Sequence, residues 1–367
     1  MKNILKITIV MLSTLSFGLA QAGELTVTGS VKSTYAITSS DSTASSQEAG
    51  KGLGVENDFT FGASGENDFG TWAYATDFDG GTALDDSKVT LTTSYGTFGV
   101  FVSEGGLDTD NAASQSVYSR PSDTSYNEGM WDTFDLSASN TLQYHMPKDM
   151  LPFGIVPKVA FAPANSSASA VNDANSGGST NTGGFTTTTS GFNTTAAIFG
   201  QTAQMGQSAL HYQVKANPMT GLKMGADYVD FKDVVATNIA NTTLQQKPES
   251  GNAYVTYEIG NASLGYSRSA TAFAIGSVNS NIVEDVTGQK MSIAYNVNDA
   301  LSVSYEEEES DMNLTDGATV QMTAKGIQAA YTMGGMTMAI AQNEYENARY
   351  TAATDVVSTV FSVAMDF

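Results

Sequence analysis

The sequence predicts an all-β chain, an antiparallel up-and-down barrel of sixteen strands that crosses a membrane. Three observations predict it. Many segments of about ten residues alternate apolar with small or polar side chains, as strands do when one face meets lipid and the other water. Their connections alternate short and long. The last segment, 355–367, is itself an alternating strand, with Val357, Thr359, Phe361, Val363, Met365 and Phe367 on one face. Chain ends are usually poorly ordered, so a terminal strand with a large apolar face needs a partner. A barrel whose last strand closes on its first supplies one.

Taken in order, the chain opens with Lys2 and Lys6, an apolar stretch over 7–20, and the small-x-small pattern Ala20-Gln21-Ala22. This three-part signature predicts a cleaved signal peptide over 1–22 and leaves 23–367 as a single barrel domain. An uncleaved anchor fits less well, because the stretch is short for a bilayer span and no stop-transfer flank follows. Beyond it no apolar run reaches the length of a spanning helix, so any passage through a membrane falls to strands.

The predicted strands run over 24–38, 53–65, 70–78, 88–95, 97–103, 136–145, 155–163, 207–217, 221–231, 251–259, 261–271, 288–297, 300–309, 319–333, 335–344 and 355–367. The alternation is plain in the later ones. Met291, Ile293, Tyr295 and Val297 alternate with Lys290, Ser292, Ala294 and Asn296, and after the tight turn at Asn298-Asp299 Leu301, Val303 and Tyr305 alternate with Ser302, Ser304 and Glu306. Tight turns such as Gly260-Asn261 and Gly334-Gly335 alternate with polar links at 39–52, 79–87, 104–135, 164–206, 232–250, 272–287, 310–318 and 345–354, the short-one-side, long-other-side habit of outer-membrane barrels. The strand-like stretch 194–204 breaks the parity and is assigned to a long loop or to an extension of the next strand. A soluble sandwich shows similar alternation but buries its apolar face in a core.

Composition narrows the class. The chain has no Cys, which removes disulfides, thiolate metal sites and cysteine nucleophiles together. With 38 acidic against 16 basic residues and a formal net charge of -22, nucleic acid is excluded as a partner, since phosphate binding needs clustered Lys and Arg. The 35 Gly, 16 Tyr and 17 Phe with only 7 Pro suit many strands joined by turns, and aromatics at strand ends suit interfacial girdles.

With the signal segment, the opening Gly23-Glu24-Leu25-Thr26-Val27-Thr28-Gly29, the blocks Asp68-Phe69-Gly70-Thr71 and Tyr95-Gly96-Thr97-Phe98-Gly99, and the terminal Phe367, the chain resembles the general trimeric porins of Gram-negative outer membranes. The resemblance is diffuse and spans the mature chain. It implies an outer-membrane homotrimer in contact with lipid and lipopolysaccharide, a third long loop folded into the pore, and a terminal strand read by the barrel-assembly machinery through Phe361, Val363, Met365 and Phe367.

The segment at the place of that third loop is the link 104–135. It carries Glu104, Asp108, Asp110, Asp123, Glu128, Asp132 and Asp135, and with them Tyr118, Tyr126, Met130, Trp131 and Phe134 to pack it onto a wall. Carboxylates around a narrow pore favour cations, and loops this long are seldom mere connections. The resemblance places bases on the opposite wall. Lys32, Lys88, Lys158, Lys215, Lys223 and Lys290 all fall on the polar face of their strands, and the basic side is assigned to Lys32, Lys88, Lys290 and Arg120, with Lys32 nearest mid-strand. No tight arginine cluster is visible, which favours plain cation preference over a strong transverse field.

Two further groups stand out. Glu306, Glu308 and Asp311, at the predicted outer end of the thirteenth strand, offer hard oxygen ligands for Ca or Mg, although a solvated charge run is the commoner meaning of such a stretch. His145 and His211 have no recognisable partner spacing and default to polar barrel positions. The Ser, Asn, Thr and Gly run over 165–195 reads as an external loop. No nucleophile elbow, metal-ligand spacing or phosphate loop is present, so no enzyme and no cofactor are expected. The leading function is passive diffusion of small hydrophilic solutes and ions. The alternatives are a channel specific for a sugar, phosphate or amino acid, and a secreted β-protein without a pore.

Overall fold

The computed structural model describes residues 24–40, 50–79, 86–102, 106–123, 130, 131, 133, 136, 140–163, 185–188, 202–206, 208–232, 245–273, 275 and 283–366. The predicted signal segment and Phe367 lie outside them.

The strands are β1 (Glu24–Ser40), β2 (Gly50–Asn67), β3 (Gly70–Asp79), β4 (Asp86–Thr93), β5 (Gly96–Val102), β6 (Thr141–His145), β7 (Val156–Ala162), β8 (Phe185–Thr188), β9 (Thr202–Gly206), β10 (Ser208–Met219), β11 (Leu222–Lys232), β12 (Glu249–Ile259), β13 (Ala262–Ala272), β14 (Val283–Asn296), β15 (Leu301–Leu314), β16 (Thr319–Met333), β17 (Met336–Glu346) and β18 (Val356–Asp366). All but β8 and β9 form one closed barrel in which neighbours in sequence are neighbours in space and β18 pairs with β1. The seam is antiparallel from Ser30 against Asp366 to Ser40 against Val356. Closure leaves the wall no edge strand, which an open sheet of this size would have to protect.

Sixteen barrel strands stand where the alternation predicts them, and the differences lie at their ends. β6 starts at Thr141 and not at 136, because Leu136 is spent on packing within the connection. β14 starts at Val283 and β15 continues to Leu314, so the predicted polar link over 310–318 shrinks to the turn 315–318. The part of 194–204 within the described residues enters β9, which pairs with β8 outside the wall; the rest lies outside them.

Alternation gives the wall two unlike faces. One carries exposed apolar side chains, among them Val55, Tyr212, Ile293, Tyr305, Ile327 and Phe361. The other carries Gln213, Asp227, Asn252, Ser292, Glu306 and Gln328, nearly all buried. At the strand ends joined by the longer connections the second face turns apolar. There Phe231, Met312, Met322 and Tyr345 form one cluster with Leu136 and Tyr350 from the connections, and Met130 and Trp131 pack against it. Water is excluded from that cluster, so each large side chain in it contributes roughly 1.5–3 kcal/mol of burial.

Candidate functional site

Between β5 and β6, residues 106–123 have almost no secondary structure of their own, yet most of the segment is buried or half-buried. Buried backbone donors and acceptors must be paired, and the polar face of β10 to β17 pairs them strand by strand. On β10, His211 Nδ1 accepts the Leu107 N–H at 3.4 Å, and Gln213 Nε2 donates to the Leu107 carbonyl at 2.6 Å. Asp227 Oδ1 on β11 accepts both the N–H and the hydroxyl of Thr109, at 2.8 and 2.5 Å. Asn252 on β12 donates to the Thr109 carbonyl at 2.8 Å. With Leu107 as its donor at Nδ1, His211 turns Nε2 towards Asp227 Oδ2, 3.3 Å away.

Further along, Ser292 Oγ on β14 donates to the Ala113 carbonyl at 2.7 Å and accepts the Gln115 N–H at 3.1 Å. On β15, Ser304 Oγ accepts the Val117 N–H, and Glu306 Oε2 accepts the hydroxyls of Ser114 and Ser116 at 2.5 and 2.8 Å. Glu308 accepts the Ser122 N–H and hydroxyl, both at 2.9 Å. Gln328 on β16 accepts the Tyr118 N–H, and the Tyr345 hydroxyl on β17 donates to the Pro121 carbonyl at 2.7 Å. Gly265 on β13 is the bare step beneath this path, because a Cβ there would stand 1.7 Å from the Ala113 carbonyl oxygen.

The charges of the segment are largely committed. Arg120, 8% exposed, holds Asp123 at 2.6 Å and Asp110 at 3.3 Å. Lys290, 4% exposed, lies 3.5 Å from Glu308 and donates to the Asp110 carbonyl at 3.4 Å. Both were expected on a wall opposite the acids. They sit instead in the seam between segment and wall, because 290 shares the inward register of Ser292 and the arginine's own segment supplies its partners. Lys32 stays on the polar face of β1 and is ion-paired with Glu56 on β2. Lys88 stands on β4 between Ala75 and Phe101. Tyr118 reaches Ser362 on β18; burial pushes its hydroxyl above the usual phenol range, against the opposing pull of Lys32. Asp108 is half-buried in the segment, while Glu104, Glu128, Asp132 and Asp135 lie outside the described residues.

The expected cation site is corrected. A strand's period of two puts Glu306 and Glu308 on one face and Asp311 on the other, where Asp311 accepts from Gln321 at 2.9 Å. No group of three metal-type ligands exists among the described residues. Nor is the run at a strand end: β15 continues past it, and Glu306 and Glu308 are fully buried, while Glu307 and Glu309 on the opposite face are half-buried. Asp227, Asn252 and Gln328 were not singled out from sequence, and His211 was placed only as a polar barrel position and not as an anchor. Their signal was long polar side chains at inward mid-strand positions, where a plain water-lined wall needs only small ones. On β18, Phe361, Val363 and Met365 share the exposed apolar face.

Neither a family model nor a curated protein sequence matches the chain. Solved structures do. OmpF of Salmonella typhi, in complex with daunomycin, matches with a TM-score of 0.60 at 11% identity, over 94% of this chain and 98% of that one. An anion-selective porin from Comamonas acidovorans matches at 0.59 and 10% identity, over 94% and 100%. OmpT, an outer membrane protein of Vibrio cholerae in a trimer form, matches at 0.58 and 12%, over 95% and 100%. At such identities the likeness speaks for architecture alone, and the architecture of this chain is the closed sixteen-stranded barrel of the porin fold.

Proposed function

We propose that the chain is an outer-membrane channel, assembled as a homotrimer, through which small hydrophilic solutes and ions diffuse passively, with cations preferred. The observation that carries this reading is segment 106–123, fastened across the polar face of seven strands of a closed barrel. Sixteen strands enclose an aqueous lumen, the polar face is its lining, and the segment narrows it. The trimer form of OmpT supports the trimer.

One neighbour of the same fold is anion-selective, so the barrel does not set the sign; the charges on this wall do. Among the lumen-facing bases, Arg120, Lys290 and Lys32 are ion-paired, whereas Lys158 and Lys215 make no ion pair among the described residues. Asp58 on β2 and Asp77 on β3 share the lumen face, and among the described residues the Oδ1 atom of each accepts no hydrogen bond. The excess of 38 acidic over 16 basic residues in the whole chain outweighs the two unpaired lysines, and a net negative surround attracts cations. In a planar bilayer under a KCl gradient the reversal potential is expected to take the cation-selective sign, and Asp58→Asn with Asp77→Asn to move it towards zero. A zero or anion-selective potential in the unmodified protein overturns the selectivity. Solute uptake into liposomes should rise linearly with concentration; saturation would instead favour a solute-specific channel.

A further inference from the structure

We propose that Lys158 on β7 and Lys215 on β10, with His145 on β6 beside them, form an anion-binding station on the lumen wall that takes a small dissolved oxyanion of the phosphate type. The three residues belong to adjacent strands. His145 stands directly opposite Lys158, and Lys158 directly opposite Gln213, two residues before Lys215. All share the face on which Gln213 and His211 meet segment 106–123. Lys215 stands opposite Val156, which makes it the diagonal neighbour of Lys158 on the same face, about 7–8 Å away and within reach of long side chains.

What distinguishes them from Lys32, Lys223 and Lys290 on the same face is the lack of a counter-charge among the described residues. In a chain of net charge -22, Lys32, Lys223, Lys290 and Lys325 each have a carboxylate partner. Among the described residues neither Lys158 nor Lys215 makes an ion pair. The acids on the neighbouring strands are engaged elsewhere: Asp227 serves Thr109 and His211, and Glu258 is 2.6 Å from Lys223. The flanking groups are neutral. Gln143 pairs with His145 at 2.8 Å, and the stem of Lys215 crosses the bare backbone of Gly225 beside the Tyr254 ring. Two half-buried like charges side by side repel, and a dianion between them removes the repulsion while supplying acceptors for both.

The station rests on the pore reading for solute access, but binding itself is measurable on the folded protein in detergent. Titration with inorganic phosphate by calorimetry should show one saturable site per chain, weakened at least tenfold in the Lys158→Gln, Lys215→Gln double variant. The Lys158→Arg, Lys215→Arg variant should retain it, and Lys148→Gln, in the exposed β6–β7 turn, should leave it unchanged. In bilayers the same phosphate should reduce KCl current saturably, less so in the double variant. A protein that conducts but shows no saturable phosphate site, or one whose site survives the double variant, overturns the station. Binding without conductance upholds the station and overturns the pore.

Discussion

Glu308→Ala will unfasten the far end of segment 106–123 and remove the carboxylate that stands 3.5 Å from the buried Lys290 ammonium. Glu308 accepts two bonds from Ser122 and is the ion-pair partner of a lysine that solvent scarcely reaches. Removing one partner of a buried pair costs about 3–5 kcal/mol, most of it the penalty for the charge left behind. The expected results are a lower thermal midpoint in detergent and a higher, noisier single-channel conductance as the segment leaves the lumen. Replacing both partners, Glu308→Leu with Lys290→Met, should recover much of the midpoint, since apolar isosteres remove the stranded charge, but not the quiet conductance, since Ser122 stays unfastened. Wild-type midpoint and conductance in Glu308→Ala would show that this anchor does not hold the segment.

The second large effect is expected at Gly265. A side chain there would occupy the place of the Ala113 carbonyl and press on Ser292 Oγ, 2.7 Å from the added Cβ. Both contacts are with the docked segment or its anchor, so Gly265→Val forces Ala113 off the wall. The bonds from Ser292 to Ala113 and from Gln115 to Ser292 are lost with it. Each buried group left unpaired costs about 1–3 kcal/mol. Conductance should rise and the barrel should remain closed, because the strand ladder on either side of β13 is untouched. Gly52→Ala is the matched control, since a Cβ there meets nothing within 4 Å. Equal conductance in the two variants would refute the close packing of segment on wall.

Strand existence was legible in the sequence because lipid and water impose a period of two on every strand. Met291, Ile293 and Tyr295 announce β14 without any knowledge of β13 or β15. Strand ends were less legible where the period is written in charge. In Glu306 to Glu309 both faces carry the same residue, so hydropathy shows no alternation, although two of the four carboxylates are buried anchors and two are not. The segment's acids were legible as a group, but the fastening of the segment was not. Arg120 pairs with Asp110 and Asp123 of its own segment, whereas Lys290 reaches the Asp110 backbone carbonyl from 180 residues away, a distance over which local pattern carries no information. His211 was legible as a polar barrel position but not as an anchor, because its partner Leu107 lies 104 residues earlier.

The anchoring of segment 106–123 also fixes an order of events in folding. Its partners lie from 104 residues later, for Leu107 and His211, to 224 residues later, for Pro121 and Tyr345. Most barrel ladders join strands adjacent in sequence, whereas these bonds, like the β1–β18 seam that pairs Ser30 with Asp366, bear the slow kinetics of contacts far apart in sequence. Until β10 to β12 are paired, Leu107 and Thr109 have no wall on which to spend their donors, and until β15, β16 and β17 are in place neither have Tyr118 and Ser122. The segment is thus fastened from its Leu107 end towards its Pro121 end, in the order in which the wall strands follow one another in the chain.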